Sequence, residues 1–254
     1  PGRGPGRGPG RGPGREAEGE PADHVPGRTS SGDVTTPAAV LQSNNAWATE
    51  YARANPGVFA RLARGQRPRY LLVGCSDSRV SVSNVMGMEP GEVFSTRNLG
   101  NLVVNSDMNR MAVMQYAVEY LRVEHVIVCG HYGCSGVKAA MENQSLGFLD
   151  SWLSSLRAVR RRHEKPIFSK HASPKTRFEK ICEANVADQV LNVVHNPIVQ
   201  AAWARGQPLA VHGWVYNLAN GRIVNLDVSM NAPRDVGPVH RLAFGGGEEG
   251  DREG

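Results

Sequence analysis

The chain has 254 residues, of which 40% are hydrophobic and 21% are charged, a balance typical of a protein with a packed core and a charged surface. No apolar run approaches the roughly 18 residues that a membrane-spanning helix needs, so nothing in the sequence predicts a transmembrane segment. The formal net charge is +5. Its one basic cluster, RAVRRRHEK at residues 157–165, is typical of a solvated helix face rather than of a nucleic-acid site.

Both ends of the chain have the composition of disordered tails. Residues 1–35 begin PGRGPGRGPGRGPGR, and residues 245–254 read GGGEEGDREG. Segments this rich in Gly, Pro and charge cannot bury a core, although an arginine-glycine repeat could bind RNA. Glu16, Glu18 and Glu20 argue against an acid-poor transit peptide over the residues shown. We therefore expect a cytoplasmic location and leave an organellar one open.

Between the tails, helix-like and strand-like patterns alternate along the chain. NNAWATEYARANPGVFARLARG predicts one or two helices broken near Pro56. Short apolar strands follow at RYLLVGC (69–75) and GEVFSTRN (91–98). MNRMAVMQYAVEYL then has apolar residues at helical spacing. EHVIVCG (124–130) is a third strand, continuous in apolar residues as a doubly covered parallel strand should be.

The second half of the chain continues this alternation. Helices are predicted at FLDSWLSSLRAVRRRH and from about residue 175 to about residue 203, with an interruption at Asn196-Pro197. LAVHGWVYNLANGRIVNLDVSM follows, with two strands joined around Asn220-Gly221, a typical hairpin turn. Strands that alternate with helices predict an α/β fold, with a mostly parallel central sheet, an antiparallel edge strand and flanking helices.

Candidate metal ligands follow two of the predicted strands. The first strand ends at Cys75 in GCSDSR, and the third runs into CGHYGCSG, which contains His131 and Cys134. In an open parallel sheet, the carboxyl ends of the strands form the binding crevice. Two thiolates and one imidazole suit zinc, and three ligands leave the fourth position open for water or substrate. The spacing alone fits buried core residues equally well, so both interpretations stand at this point.

The other two cysteines favour a structural role. Cys129 lies within the apolar third strand, and Cys182 lies on a predicted helix beside Phe178 and Ile181. Both are therefore interpreted as small buried hydrophobic residues. Four cysteines in a chain of this length do not predict a disulfide scaffold, but they suit a reducing compartment with metal-binding or catalytic thiols.

CSDSRV, followed by HYGCSG with His131 56 residues after Cys75, resembles the β-class carbonic anhydrases. The resemblance continues in order through SNNAWA, PGEVFSTRNLGNLV, QYAVEYL, VEHVIVCGHYGC, CEANVADQV and HGWVYN, over roughly residues 42–230. It implies a zinc domain at residues 36–244 with an extended N-terminal helical arm. It also implies an enzyme that interconverts carbon dioxide and bicarbonate by attack of zinc-bound hydroxide.

The resemblance implies a role for each residue of the two motifs. Cys75, His131 and Cys134 match the zinc ligands, and Asp77 and Arg79 match the family's aspartate–arginine dyad. A carboxylate near the metal can orient the nucleophile, but an unpaired one could occupy the open metal position. A bidentate pair with Arg79 would restrain it. In the family, some members move this aspartate onto zinc at low pH.

Further positions match a substrate pocket and a second bicarbonate site. Val80 and Tyr116 match the pocket wall, although Tyr116 also fits an ordinary core aromatic on an amphipathic helix. Arg97 and Tyr216 match two residues of a non-catalytic bicarbonate site, whose tryptophan is replaced here by Leu72. Because leucine has no indole N–H to donate, we expect weaker bicarbonate inhibition than in the tryptophan-bearing members.

The family builds dimers, often paired again into tetramers, through an N-terminal helix that embraces the partner. The segment with Trp47 and Tyr51 is apolar enough for that role, so we expect a homodimer or homotetramer and no membrane partner. Three alternatives remain open. They are a zinc-bound but catalytically silent relative, an enzyme that hydrates carbon disulfide or carbonyl sulfide, and an RNA-associated protein that uses the PGRG tail.

Overall fold

A computed structural model describes residues 36–142, 145–171 and 173–244, together with Gly2. Apart from Gly2, the two tails predicted to be disordered lie outside these residues. The chain divides into two compact units, of which the first ends at Phe59 and the second begins at Ala60. No helix among the described residues is both long enough and apolar enough to cross a membrane.

The first unit contains helix α1, Pro37–Ala54. Its N-cap is Thr36, whose side-chain oxygen accepts a hydrogen bond from the third residue of the helix at 3.2 Å. The helix ends at Ala54, two residues before Pro56, as the sequence predicts. On its surface, Trp47 stacks on Tyr51 with ring centroids 5.2 Å apart. The helix buries none of its own residues.

The second unit is built on a five-stranded sheet with the order β2-β1-β3-β4-β5. The strands are β1 Tyr70–Cys75, β2 Val93–Asn98, β3 His125–His131, β4 Ala210–Asn217 and β5 Arg222–Asn225. The first four pair in parallel, and β5 pairs antiparallel with β4. This arrangement confirms the predicted α/β fold with its antiparallel edge strand.

Helices flank this sheet and connect its parallel strands along the chain. They are α2 Val58–Leu62, which begins in the first unit, α3 Val82–Met86, α4 Met108–Gln115, α5 Ser135–Met141, α6 Leu149–Lys170, α7 Pro174–Val194 and α8 Pro197–Ala204.

One helix differs from the sequence prediction in its second half. A five-residue π-helical turn, Tyr116–Tyr120, follows α4 where the apolar pattern predicts a regular helix. The spacing of the apolar residues here fits a regular helix, so the pattern carries no signal for this turn, whose hydrogen bonds join residues five apart. The predicted interruption between α7 and α8 is confirmed, since the side chain of Asn196 caps α8 by accepting the Ile198 N–H at 2.9 Å.

The core lies between the sheet and α7. Val128 of β3 and Val186 and Val190 of α7 are fully buried in one apolar cluster. Burying each such side chain contributes about 1.5–3 kcal/mol relative to leaving it exposed. Since β1 and β3 are parallel neighbours, with Gly74 opposite Cys129, the core aligns their carboxyl ends at the same edge of the sheet.

Candidate metal centre

The three predicted metal ligands come together at this edge. Cys75 is the last residue of β1, His131 is the last residue of β3, and Cys134 directly precedes α5. All three are buried, and their ligand atoms lie within 4.8 Å of one another. The two sulfur atoms are 3.9 Å apart, and neither thiol is in a disulfide. Two thiolates on one tetrahedral zinc, each about 2.3 Å from the metal, lie about 3.8 Å apart, so the spacing fits that ion.

The imidazole of His131 has the orientation of a metal ligand. Its Nδ1 lies 3.0 Å from the backbone oxygen of Tyr132, which can only accept, so Nδ1 carries the proton. The other nitrogen, Nε2, is buried and has no hydrogen-bond partner among the described residues. An unpaired buried polar atom costs about 1–3 kcal/mol, and a cation bound between the three side chains would remove that cost.

The surroundings of Cys75 favour the thiolate that a metal needs. Hydrogen bonding from the Cys134 thiol lowers the pKa of Cys75 to about 4, against the opposing effect of burial, and the backbone N–H of Gly100 adds to the lowering. The pKa of Cys134 is raised because its thiol donates the hydrogen bond to Cys75. Metal ligands are thiolates, so Cys75 is prepared for this role.

Asp77 and Arg79 form the predicted dyad beside these ligands. Arg79 donates from Nε to Asp77 Oδ1 at 3.0 Å and from Nη2 to Oδ2 at 2.8 Å, which is a bidentate pair. The guanidinium of Arg79 is the main cause that lowers the pKa of Asp77 to about 2. The Asp77 carboxylate lies 3.6 Å from His131 Nε2. A charged carboxylate therefore stands next to the three ligands but is held by its arginine.

Arg97 binds the backbone of the loop that carries these residues. Its Nε donates to the Cys75 carbonyl at 2.7 Å, and its Nη2 donates to the carbonyls of Asp77 and Val80 at 2.7 and 2.8 Å. One side chain thus fixes the backbone at a ligand, at the dyad and at the end of the loop. The sequence motif alone gives no sign of this contact, because the acceptors are backbone oxygens.

A pocket of about 450 Å³ opens over the site. Its lining includes two of the three ligands, both dyad residues and the apolar side chain of Leu99. Val80 is buried, at 6% exposure, and is not one of the described residues that line this pocket. Tyr116 lies at the start of the π-helical turn, 46% exposed, and stacks on Tyr120 with centroids 5.7 Å apart. The structure thus brings five of the seven predicted ligand, dyad and pocket-wall residues to one place.

The residues matched to a second bicarbonate site share one face of the sheet. Leu72 lies in a buried apolar cluster, and Tyr216 packs against that cluster. A Cβ built at Gly74 would lie 2.9 Å from the Leu72 side chain and 3.9 Å from that of Arg97. At position 72 the chain therefore presents buried hydrocarbon.

The remaining cysteines lie in the core, as the sequence predicts. Cys129 is 5% exposed and Cys182 is 2% exposed. Burial raises the pKa of each thiol to about 12, so both are neutral near pH 7.

Sequence reasoning misses two backbone groups that serve the site. The N–H of Gly100 donates to the Cys75 sulfur at 3.4 Å, and the carbonyl of Tyr132 orients the His131 ring. Every residue except proline carries both groups, so their identity in the sequence gives no signal. Only the folded backbone shows which N–H and which carbonyl reach the ligands.

Comparison with known proteins finds similarity to carbonic anhydrases along most of the chain. The family profile described as carbonic anhydrase matches residues 70–223. A carbonic anhydrase of Emericella nidulans is 39% identical over 207 residues, which cover 81% of this chain and 90% of the relative. The Coccomyxa β-carbonic anhydrase in complex with acetazolamide has a TM-score of 0.74 and 40% identity, and the match covers 80% of this chain and 90% of that one. A tetrameric β-carbonic anhydrase of Sordaria macrospora has a TM-score of 0.72 and 38% identity, over 76% and 98% of the two chains.

Proposed function

Because the chain belongs to the β-class carbonic anhydrases, we propose that it hydrates carbon dioxide reversibly, using a zinc ion held by Cys75, His131 and Cys134. The observation that carries this proposal is the set of three buried ligand atoms, one of them an imidazole nitrogen without a partner among the described residues. Zinc supplies Lewis acidity, which in three-histidine carbonic anhydrases lowers the pKa of a bound water to about 7.

The protein's own residues orient the reacting groups. Asp77 stays ionised at neutral pH, so its oxygen can only accept a hydrogen bond, and it fixes the direction of a donor in the open position. Arg79 holds both carboxylate oxygens and keeps Asp77 from becoming a fourth ligand. Leu99 supplies an apolar wall, which suits an uncharged and apolar substrate such as carbon dioxide.

Stopped-flow hydration assays test the proposal directly. The purified protein is assayed as isolated, after removal of zinc by a chelator, and after zinc is restored. We expect hydration activity to vanish with the metal and return with it. Carbon disulfide and carbonyl sulfide are assayed beside carbon dioxide, because the same site could attack those molecules. A protein that hydrates only the sulfur compounds, or that is active without zinc, contradicts the proposal.

We also propose that the chain forms a homo-oligomer through α1. Leu41 is 68% exposed and Trp47 is 49% exposed on this helix, which buries none of its residues, so both side chains are available to pack against a partner. The similar Sordaria macrospora enzyme is tetrameric. Light scattering should give a dimer or tetramer that Trp47→Ala weakens. The matched control is Met108→Ala, at a side chain that is 83% exposed outside α1. A monomeric wild type contradicts this assignment.

We propose that Leu72 makes this enzyme less sensitive to bicarbonate than its tryptophan-bearing relatives. Arg97 and Tyr216 could still contact an anion, but the indole donor is missing. Leu72→Trp should increase bicarbonate inhibition, and overpacking of the buried site should cost about 1–3 kcal/mol of stability. Inhibition constants measured on both proteins test this. Strong cooperative inhibition of the wild type by bicarbonate would contradict this proposal.

A further inference from the structure

The sulfur of Cys75 receives a backbone hydrogen bond from a loop that follows β2. This thiolate loop, defined as Asn98–Val103, presents the N–H of Gly100 to the sulfur at 3.4 Å. Gly100 has φ of 80°, and a Cβ at this position would lie 2.9 Å from a Leu156 methyl group. The backbone conformation favours glycine, and any side chain here would also displace the Leu156 methyl group. The N–H therefore points at the sulfur only while the loop keeps this shape.

Two buried amides of α7 hold the thiolate loop at two points. Asn185 Nδ2 donates to the Gly100 carbonyl at 3.0 Å, and Gln189 Oε1 accepts the Val103 N–H at 2.8 Å. The two amides are also joined, because Gln189 Nε2 donates to Asn185 Oδ1 at 3.1 Å. Asn185 is 1% exposed and Gln189 is 2% exposed. Such groups are costly to bury unless every polar atom is paired.

The donors and acceptors in this series of hydrogen bonds are fixed by the two backbone groups at its ends, the Val103 N–H and the Gly100 carbonyl. The Val103 N–H can only donate, so the Gln189 atom facing it is the oxygen, and Nε2 faces Asn185. The Asn185 atom that meets Nε2 is then its oxygen, which leaves Nδ2 to meet the Gly100 carbonyl. Reversing either amide would bring like groups together at a loop contact. The network therefore has a single arrangement of donors and acceptors.

We propose that Asn185 and Gln189 are positioning residues for Cys75, which hold the thiolate loop so that the Gly100 N–H donates to the sulfur. A hydrogen bond to sulfur withdraws negative charge from the thiolate and reduces the charge that Cys75 gives to a metal. Two thiolates donate more charge than imidazoles would, so this contact keeps the metal a stronger Lewis acid. The inference rests on the proposed zinc site, since the withdrawn charge matters only when Cys75 is a ligand.

Asn185→Asp is the sharpest variant, because it keeps the size of the side chain and replaces the donor to Gly100 with an acceptor. Gln189→Glu replaces the donor to Asn185 with an acceptor, one hydrogen bond further from the sulfur. It is the test variant if Asn185→Asp does not fold. The control is Gln200→Ala on α8. Gln200 is an equally buried amide, 2% exposed, but it binds the backbone of His240 and Leu242.

Zinc affinity is measured by chelator competition, and the thiolate-to-metal absorption band is recorded after loading with cobalt(II). We expect Asn185→Asp to move the cobalt band to longer wavelength, because a sulfur without the N–H gives more charge to the metal, and to change zinc affinity about 10-fold. Gln189→Glu should move the band in the same direction by less. Gln200→Ala should lower the melting temperature without changing the affinity or the band.

Wild-type affinity and an unmoved band in folded Asn185→Asp or Gln189→Glu would show that the network only supports the fold, which overturns the inference. Cys75→Ser is included to separate this outcome from failure of the zinc site. If Cys75→Ser binds zinc and cobalt like the wild type, the proposed function fails. If it loses both metals while the α7 variants behave like the wild type, only the inference fails.

Discussion

Cys75 and Cys129 occupy similar positions in the sheet, but the pKa values of their thiols are shifted in opposite directions. They lie on neighbouring strands, one residue out of register, and are 1% and 5% exposed. Donors around Cys75, first the Cys134 thiol, lower its pKa to about 4, whereas burial raises the pKa of Cys129 to about 12. Burial alone keeps a thiol neutral. Hydrogen-bond donors that converge on the sulfur, as at Cys75, instead stabilise the thiolate that a metal ligand requires.

The largest effect on catalysis outside the three ligands is expected at Asp77, which lies two residues after Cys75. Asp77→Asn keeps the shape but loses the bidentate pair and the second acceptor oxygen. We expect about 100-fold slower carbon dioxide hydration with unchanged zinc content, because the reacting groups lose their alignment. Stopped-flow rates per bound zinc measure this.

Asp188→Asn is the matched control for that experiment. Asp188 is a carboxylate of similar exposure, 5% at its side chain against 12% for Asp77, and it is paired with Arg162 and His163. This variant should lose stability but keep its rate per zinc. Equal rate losses in the two variants would mean that Asp77 acts only through folding.

A smaller effect is expected when the restraint on Asp77 is removed. Arg79→Met should reduce the hydration rate about 10-fold and let the pKa of Asp77 rise from about 2 toward its usual value near 4. Because this pKa is depressed in the folded protein, the pair's contribution to stability is present above pH 4 and is lost as pH falls toward 2. Carbon NMR titration of the Asp77 carboxyl follows the shift.

Arg79→Lys separates charge from geometry at the same position. Lysine restores the positive charge but cannot form the two parallel hydrogen bonds of arginine, so the rate should lie between those of Arg79→Met and the wild type. A lysine variant with full activity would show that the bidentate geometry is unnecessary.

The smallest effect concerns the core thiols and appears in alkaline solution. Cys182 has a pKa of about 12 in the folded protein, raised by burial, against about 8.5 in an unfolded chain. Above pH 8.5 the unfolded state therefore loses this proton first, and stability falls as pH rises toward 12. Cys182→Ala should reduce the slope between pH 9 and 11 by up to about 1.4 kcal/mol per pH unit. Urea unfolding at several pH values measures it, and identical slopes contradict the assignment.

Much of this molecule could be predicted from its sequence because the relevant signals are local. Apolar runs that end in Cys75 and His131 predict parallel strands whose ends meet, and the dyad follows Cys75 within four residues. The hairpin at Asn220-Gly221 is equally local, since Gly221 takes a φ of 69° that glycine adopts easily. In each case, residues near one another in sequence determine the geometry.

What could not be predicted depends on contacts between distant segments. Asn185 and Gln189 read as polar positions on a helix, and only packing brings them to a loop about 85 residues earlier. The three carbonyl contacts of Arg97 are hidden for the same reason. The π-helical turn at Tyr116 lies in a segment whose apolar spacing fits a regular helix, so the sequence carries no local signal for it.

The most direct test of the account is a comparison of Cys75→Ser with Cys129→Ser, by zinc content and stopped-flow hydration of carbon dioxide. We expect Cys75→Ser to lose its bound zinc and at least about 100-fold in activity, since even residues that only contact the ligands are worth 10–100-fold. Cys129→Ser should keep one zinc per chain and its rate, and lose only stability. An unaltered rate in Cys75→Ser, or equal zinc loss in the two variants, would contradict it.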